Sequence, residues 1–290
     1  MLARYRATVT RNLGVSMSVA TSKQSAYGTT YGDNAAENYE QYFVPVIGRP
    51  FGVDLVADAA LQPGERVLDV ACGTGIVARL AAERVGPTGQ VSGLDVNAAM
   101  LGVARSLPSG VPIKWYETSA ESVPLPDGAF DVVFCQLGLQ FMADKAAALR
   151  EMRRMLAPGG RVYISTPMPN AFFDVLDREI ARHVSEEASV FVHAVFSLND
   201  PRELHTLLAD AGFEAPEAHP HSRRLRTPAA RDFMWQYIHC TPLMALVPQS
   251  GDARNAALER AVVAGWQPWM SGDGMSYEQS VLVGTARRSV

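Results

Sequence analysis

The chain of 290 residues has little cysteine, with only Cys72, Cys135 and Cys240. Three cysteines without a CxxC pair support neither a disulfide framework nor a zinc knuckle. We therefore expect no metal site and no structural disulfides. A reduced, cytoplasmic location is the expectation that follows from this cysteine usage.

The chain also lacks long apolar runs and a basic surplus. No stretch reaches the roughly 18 consecutive apolar residues that a membrane-spanning helix needs. Lysine and arginine total 26 against 30 aspartate and glutamate, for a formal net charge of -4. Proteins that coat nucleic acid usually carry excess positive charge. The composition therefore predicts neither stable membrane insertion nor a nucleic-acid partner.

Acidic residues are absent from the first 32 positions. Such a composition also occurs in organelle transit peptides, although this segment has no apolar core like that of a secretory signal. We expect residues 1–33 to be disordered or extended. The segment is also the candidate contact through which a homo-oligomer would form.

Apolar strand-like segments alternate with helical ones from residue 66 onward. The strand segments are residues 66–70, 90–94, 113–117, 130–135 and 161–165. Helical periodicity separates them, and this alternation predicts an α/β fold with a mainly parallel sheet. The chain would thus form a Rossmann-like sheet with helices on both faces.

The flanking regions follow a different pattern. Residues 34–60 predict two short helices, because Pro45 and Pro50 interrupt a helical pattern. Helices and strands also follow residue 166, ending in an antiparallel last strand. We predict a single domain over residues 34–290, with helical cap insertions at about 168–198 and 228–275.

The ends of the first two predicted strands carry polar residues. The first strand contains Asp69 near its end and is followed by Ala71, Gly73 and Gly75. Asp95 ends the second strand, twenty positions beyond Gly75. Ligands of open α/β sheets bind outside these carboxyl ends. An acid at the end of the second strand is placed to accept hydrogen bonds from ribose hydroxyls.

Two cofactor classes use this layout. The spacing of Gly73, Gly75 and Ala78 fits the dinucleotide fingerprint loosely. A carboxylate at Asp69 would repel a pyrophosphate docked on the helix N-terminus. S-adenosylmethionine carries no phosphate, and its sulfonium and ammonium are favoured by a nearby carboxylate. Asp69 therefore favours S-adenosylmethionine, with an NAD-dependent oxidoreductase as the alternative from another class.

Over roughly residues 35–166, the chain resembles the class I S-adenosylmethionine-dependent methyltransferases. Several motifs of that family occur here in the order in which the family has them. They are the D-x-x-x-G-x-G loop at 69–75, Gly-Leu-Asp at 93–95, Ala-Glu-Ser-Val-Pro-Leu-Pro at 120–126, Phe-Asp-Val-Val at 130–133 and Leu-Ala-Pro-Gly-Gly at 156–160. The segment Cys-Gln-Leu-Gly-Leu-Gln-Phe at 135–141 is similar to the branch with quinone-biosynthesis and bacterial secondary-metabolite methyltransferases.

The resemblance implies cofactor contacts position by position. Gly73 and Gly75 would pack under the methionine moiety, and Asp95 would hold the ribose. Val96 and Met100 would flank the adenine. The simpler structural alternatives are a tight turn for the two glycines and a helix cap for Asp95.

Other contacts implied by the resemblance come from two later segments and the N-terminus. Ser119, Ala120 and Glu121 occupy the segment that reads the adenine edge, where relatives often have Asp in place of Ser119. The remaining expected contacts are Cys135 and Gln136, beside the methionine carboxylate and sulfonium, and Tyr39, closing over the cofactor. Cys135 has the alternative of a small buried apolar residue, and Tyr39 that of helix packing.

Methyl transfer mainly requires alignment of nucleophile, methyl group and sulfur, with water excluded. A general base helps only where the acceptor must lose a proton. His193 and His239 fall in the predicted insertions and are candidates for such a base, against the alternative of structural histidines. Gln140, past the fourth strand, is a candidate to orient the acceptor by hydrogen bonding.

Aromatic side chains in the insertions favour an apolar, aromatic or prenylated small-molecule acceptor, as in secondary metabolism. They are Phe172, Phe173, Phe191, Phe196, Phe233, Trp235, Tyr237, Trp266 and Trp269. Residues 135–138 do not form the Asn/Asp-Pro-Pro-aromatic run common in methyltransferases acting on base amino groups. A prenylquinone C-methyltransferase and a non-methylating S-adenosylmethionine-binding cyclase are the alternatives.

Overall fold

The computed structural model describes residues 34–290. The expectations for residues 1–33, a disordered or extended segment and an oligomer contact, concern residues outside this described part.

A mixed sheet forms the centre of the molecule. Its parallel strands are β1 (Arg66–Val70), β2 (Gln90–Asp95), β3 (Ile113–Glu117), β4 (Phe130–Gln136) and β5 (Leu156–Pro167). They lie in the order β3-β2-β1-β4-β5, so the strand order reverses between β1 and β4. This reversal leaves a crevice at the carboxyl ends of β1 and β4.

The sheet continues past β5 with antiparallel pairing. The strands there are β6 (Glu214–Thr227), β7 (Met270–Ser271) and β8 (Gly274–Arg287). β8 lies between β5 and β6 and is antiparallel to both, and β7 pairs with β8. The predicted α/β fold, with a mainly parallel sheet and an antiparallel last strand, is confirmed.

Helices cover both faces of this sheet. In the described residues, the α-helices are α1 (Ala35–Asn38), α2 (Arg49–Asp58), α3 (Ile76–Val85), α4 (Ala98–Ser106), α5 (Lys145–Met155), α6 (Ala171–His183), α7 (Glu186–Val195), α8 (Pro201–Asp210), α9 (Ala230–His239) and α10 (Asp252–Gly265). Alternate strand residues face opposite cores: Val67 belongs to the cluster that includes residues of α2, α3 and α6, whereas Leu68 belongs to the cluster that includes residues of α5 and α8. None of the helices from residue 34 onward is long and apolar enough to cross a membrane.

Two details differ from the sequence prediction. A π-helix (Tyr39–Gly48) joins α1 to α2, so residues 35–58 form one helical segment in place of two interrupted helices. Pro45 lies inside the π-helix, where the wider turn accommodates a residue that cannot donate the usual hydrogen bond. β5 also begins earlier than predicted, at Leu156. Its pairing with β4 shifts register between Phe130 and Val132, and the predicted Pro158–Gly160 turn lies at this irregularity.

An aromatic stack joins the segments that flank β6. The Phe172 ring of α6 lies between Trp266 and Tyr277, with centroids 4.5 Å and 4.0 Å away and nearly parallel planes. The Trp266 indole also donates to the Phe172 carbonyl oxygen at 2.8 Å. These contacts fix α6 against the end of α10 and against β8, at the side of the sheet where the crevice opens.

Gly93 in β2 tests how tightly the sheet packs beside this crevice. A Cβ there would lie 2.5 Å from the Trp115 ring and 3.0 Å from Cys72 Sγ. Gly93→Ala is therefore expected to lower the free energy of unfolding by about 1–3 kcal/mol, measured by urea denaturation.

Gly102, on the exposed side of α4, is the matched control, because an added Cβ there meets nothing within 4 Å. Gly102→Ala should leave stability unchanged or raise it by up to about 1 kcal/mol. Equal effects of the two substitutions would contradict the packing described for Trp115.

Candidate active site

A cavity of about 360 Å³ opens at the carboxyl ends of β1, β2 and β4. One part of its lining is polar and comes from the loops that follow these strands. The other part is apolar and comes from the N-terminal helical segment and from α6, α7 and α9. The cavity therefore has two chemically different halves that meet beside the ends of β1 and β4.

The loop after β1 has an unusual backbone. Ala71, Gly73 and Gly75 all have positive φ angles, of 55°, 54° and 84°. Ala71 and Gly73 line the cavity. Gly75 does not, and a Cβ at this position would lie 2.3 Å from the Trp115 ring. The structure thus places Gly75 against Trp115, whereas the sequence prediction placed it under the methionine moiety.

Asp95 connects the ends of β1 and β2. Its Oδ2 accepts a hydrogen bond from the Gly73 amide at 2.8 Å, and its Oδ1 accepts one from the Asn97 amide, also at 2.8 Å. Burial raises the pKa of this carboxyl group above its usual value. Each carboxylate oxygen has a second lone pair. Asp95 can therefore still accept hydrogen bonds from a pair of ribose hydroxyls.

Asp69 is 1% exposed and lines the cavity at the base of the loop. Its Oδ2 accepts a hydrogen bond from the Ala78 amide at 3.0 Å. Burial is the main cause that raises the pKa of this carboxyl group to about 8. Because an adjacent cation favours the ionised form, a cationic ligand bound here would lower that pKa.

The adenine-side residues predicted from the sequence lie together. Val96, Met100, Ser119, Ala120 and Glu121 all line the cavity. The Ser119 hydroxyl accepts a hydrogen bond from the Glu121 amide at 3.2 Å, which fixes the turn. The Glu121 carboxylate accepts one from the amide of residue 144 at 3.0 Å.

The N-terminal helical segment covers the loop after β1. Tyr39 lines the cavity and stacks on Phe43, with ring centroids 4.6 Å apart. A Cβ at Gly73 would lie 3.8 Å from the Tyr39 ring. Arg79 holds the segment in place: it pairs with Glu40 at 2.7 Å and donates to the Thr74 carbonyl oxygen at 2.5 Å.

The end of β4 forms the opposite wall. Gln136 lines the cavity, and its Nε2 donates to the Gly48 carbonyl oxygen at 2.7 Å. The next two residues, Leu137 and Gly138, also line it and were not predicted. Gly138 permits a close approach of the two loops, because a Cβ there would lie 2.7 Å from Ala71 Cβ. The glycine after the fourth strand was the available signal in the sequence.

The structure places three further candidates outside the cavity lining. Cys135 is fully buried in the core on the α5 side of the sheet, and burial raises the pKa of its thiol. His193 Nε2 lies 2.9 Å from Asp177 Oδ2, a hydrogen bond that raises the pKa of the imidazole. His239 packs beside the Trp235 ring. Gln140, in contrast, lines the cavity.

The charge of the lining indicates which cofactor fits. Asp69, Asp95 and Glu121 contribute carboxyl groups, and no lysine, arginine or histidine is among the lining residues of the described chain. A pyrophosphate would meet acids without a compensating cation, whereas a sulfonium and an ammonium are favoured there. Residues 34–290 contain no group of three or more histidine, cysteine, aspartate or glutamate residues that could hold a metal ion.

Comparisons with known proteins point to the same chemistry. A family model described as a methyltransferase domain (Methyltransf_11) matches residues 68–164. The ubiquinone/menaquinone biosynthesis C-methyltransferase UbiE of Burkholderia orbicola (strain MC0-3) is 38% identical over 181 residues, which cover 55% of this chain and 72% of that relative. The chain belongs to the class I S-adenosylmethionine-dependent methyltransferases. The predicted cofactor, S-adenosylmethionine, and the predicted enzyme class are confirmed. The alternative of an NAD-dependent oxidoreductase is therefore not supported.

Solved structures share the fold at lower sequence identity. The phosphoethanolamine N-methyltransferase 2 of Haemonchus contortus, in complex with phosphomonomethylethanolamine and S-adenosylhomocysteine, has a TM-score of 0.58 and 20% identity, over 92% of this chain and 59% of that chain. The YcgJ protein of Bacillus subtilis has a TM-score of 0.54 and 18% identity, over 83% of this chain and 100% of that one. These likenesses support the methyltransferase fold.

Asp95→Ala tests the ribose contact. The substitution removes a carboxylate that would accept two hydrogen bonds, so the Kd for S-adenosylmethionine and S-adenosylhomocysteine should rise at least about 100-fold in calorimetric titrations. Glu117→Ala is the matched control. Glu117 is an exposed acid at the end of β3, opposite Asp95 in the register of the neighbouring strand, and it does not line the cavity. Unchanged affinity in Asp95→Ala would remove Asp95 from the site.

Asp69→Asn tests the raised carboxyl pKa. Below about pH 4 the carboxyl group is protonated in both folded and unfolded chains. Between about pH 4 and pH 8 only the unfolded chain releases the proton, so wild-type stability should fall by up to about 1.4 kcal/mol per pH unit. Asn has no such titration. Urea denaturation of the ligand-free proteins should therefore show the wild type losing stability relative to Asp69→Asn as pH rises, and a pH-independent difference would contradict this.

Proposed function

We propose that the methyl acceptor is an uncharged small molecule with an aromatic or prenyl-like apolar body. The observation that carries the proposal is the lining of the apolar half of the cavity, which is formed by the N-terminal helical segment and by α6, α7 and α9 and is called the cap half below. It consists mainly of aromatic and aliphatic side chains, among them Phe43, Phe141, Phe173, Phe191, Phe196 and Tyr237. Such a wall favours burial of a flat or branched hydrocarbon surface.

The side chains of the aromatic wall also contact one another. Phe141 and Phe191 stack in parallel planes with centroids 6.2 Å apart. Phe173 contacts both Phe196 and Tyr237, at 5.5 Å and 5.2 Å. Residues from three separate chain segments therefore form one surface against which an apolar ring could pack.

The absence of basic side chains from the described lining restricts the acceptor further. A phosphate or carboxylate on the acceptor would be desolvated without a counter-ion, which is costly. The phosphoethanolamine enzyme that shares the fold therefore does not provide a model for this acceptor. A nucleic acid, with its row of phosphates, is disfavoured for the same reason.

The reaction needs little chemistry from side chains. S-adenosylmethionine supplies the activated methyl group when bound. The aromatic wall would exclude water and hold the nucleophilic atom in line with that group, and alignment of this kind accounts for much of the rate enhancement. His193 and His239 remain outside the lining. We therefore propose that neither of these histidines acts as a general base.

A prenylated quinone precursor is the second candidate acceptor. The 38% identity to a relative named as a ubiquinone/menaquinone biosynthesis C-methyltransferase favours it. The apolar cap half would suit a prenyl chain equally well. An S-adenosylmethionine-binding cyclase, which would use the same cofactor site, predicts acceptor turnover without formation of S-adenosylhomocysteine.

A matched pair of variants tests the acceptor proposal. Purified protein is incubated with S-adenosylmethionine and a panel of neutral, anionic and prenylated hydroxybenzenes, and methylated product and S-adenosylhomocysteine are measured by mass spectrometry. Neutral members should be methylated. Phe141→Ala should lower kcat/KM for them about 10–100-fold, because the aromatic ring of the acceptor loses the Phe141 ring against which it would pack.

Trp235→Phe is the control for this experiment, since Trp235 is a cap aromatic that does not line the cavity. It should leave kcat/KM within about twofold. Turnover of anionic members alone, or equal losses in both variants, would contradict the proposal.

A further inference from the structure

Gln140 lies in a short 3-10 helix (Leu139–Phe141) directly after β4, and it is 1% exposed. Gln140 is one of the residues around the cavity, next to Phe141, a member of the aromatic wall. The Nε2 group donates a hydrogen bond to the Leu137 carbonyl oxygen at 2.9 Å. This bond fixes the amide orientation, because an oxygen could not take the place of Nε2 opposite a carbonyl.

The other end of the amide has no such bond. Gln140 Oε1 is buried and has no hydrogen-bond partner in the described chain. A buried carbonyl oxygen without a partner costs free energy, so native proteins rarely keep one without a function. Because Gln140 borders the ligand cavity, a hydrogen-bond donor on the ligand is the candidate partner for that oxygen.

Two other polar residues that line the cap half, Thr241 and Gln279, already have hydrogen-bond partners. The Thr241 hydroxyl donates to the Tyr237 carbonyl oxygen at 2.8 Å. Gln279 Oε1 accepts from Asn170 Nδ2 at 2.5 Å, and its Nε2 donates to the Met168 carbonyl oxygen. Gln136 Oε1 is unpartnered as well, but it lies against α2, where a Cβ at Gly52 would be 2.9 Å away.

We propose that Gln140 Oε1 accepts a hydrogen bond from a hydroxyl or N–H group on the methyl acceptor, and that Gln140 thereby determines specificity for acceptors that carry such a donor. This inference rests on the proposed function, an uncharged apolar acceptor. It adds the requirement that the acceptor carry a hydrogen-bond donor. An otherwise identical acceptor whose donor is missing or blocked by a methyl group would leave Gln140 Oε1 buried and unpaired.

The test uses three probes on the S-adenosylhomocysteine-loaded protein: 1-naphthol, naphthalene and 1-methoxynaphthalene. Only 1-naphthol has a donor. Calorimetry or tryptophan fluorescence should show that wild type binds 1-naphthol about tenfold more tightly than either of the other two. In Gln140→Met, which replaces the amide by an apolar group of similar length, the three affinities should agree within about twofold.

Gln279→Met is the matched control, because Gln279 is a buried cavity-lining glutamine whose oxygen already has a partner. It should keep the preference for 1-naphthol. Thermal unfolding of both variants shows whether they are folded. The comparison of the three probes on wild type does not depend on either variant.

The outcomes separate this inference from the proposed function. Equal affinities of wild type for all three probes would overturn the role of Gln140 and leave the apolar acceptor intact. A preference for 1-naphthol that persists in Gln140→Met would also overturn it. Failure of all three probes to bind wild type would overturn the proposed function together with the inference.

Discussion

The hydrogen bond from the Gly73 amide to the Asp95 carboxylate joins the ends of two neighbouring strands, and the cofactor half of the site is arranged around it. It holds the glycine loop over the edge of the sheet with positive φ at Gly73. The same residue lines the cavity, where its carboxylate could accept a hydrogen bond from a ligand. One buried acid therefore both shapes the loop and supplies the group that recognises a ribose.

The N-terminal helical segment depends on that loop in turn. Arg79 pairs with Glu40 and also bonds to the Thr74 carbonyl oxygen, so the segment that carries Tyr39 is attached to the loop itself. Gln136 adds a second attachment, from the end of β4 to Gly48. The cavity is thus closed on one side by elements tied to the cofactor loops, and on the other by the aromatic residues of α6, α7 and α9.

This arrangement places opposite chemistries side by side. The cofactor half has three carboxyl groups and no basic residue, which favours a cationic, phosphate-free ligand. The cap half is almost wholly apolar and favours an uncharged partner for that ligand. Contact between the two halves lets an electrophilic methyl group meet a nucleophile in a space from which water is largely excluded.

The sequence by itself determined the alternating α/β pattern, the strand positions and the acids at the strand ends. These depend on local periodicity and on spacing along the chain, and most of the predicted cofactor residues do meet at one cavity. Packing decided details that local signals do not contain. A π-helix absorbed Pro45, and Trp115 occupied the space beside Gly75.

Only the tertiary structure decided which residues of the cap face the acceptor. His193 and His239 lie in the expected insertions, yet one is engaged by Asp177 and the other packs beside Trp235. The unpaired oxygen of Gln140 could not be recognised from the sequence either. Whether a buried polar atom has a partner depends on contacts between residues far apart in the chain, and spacing along a single sequence carries no record of them.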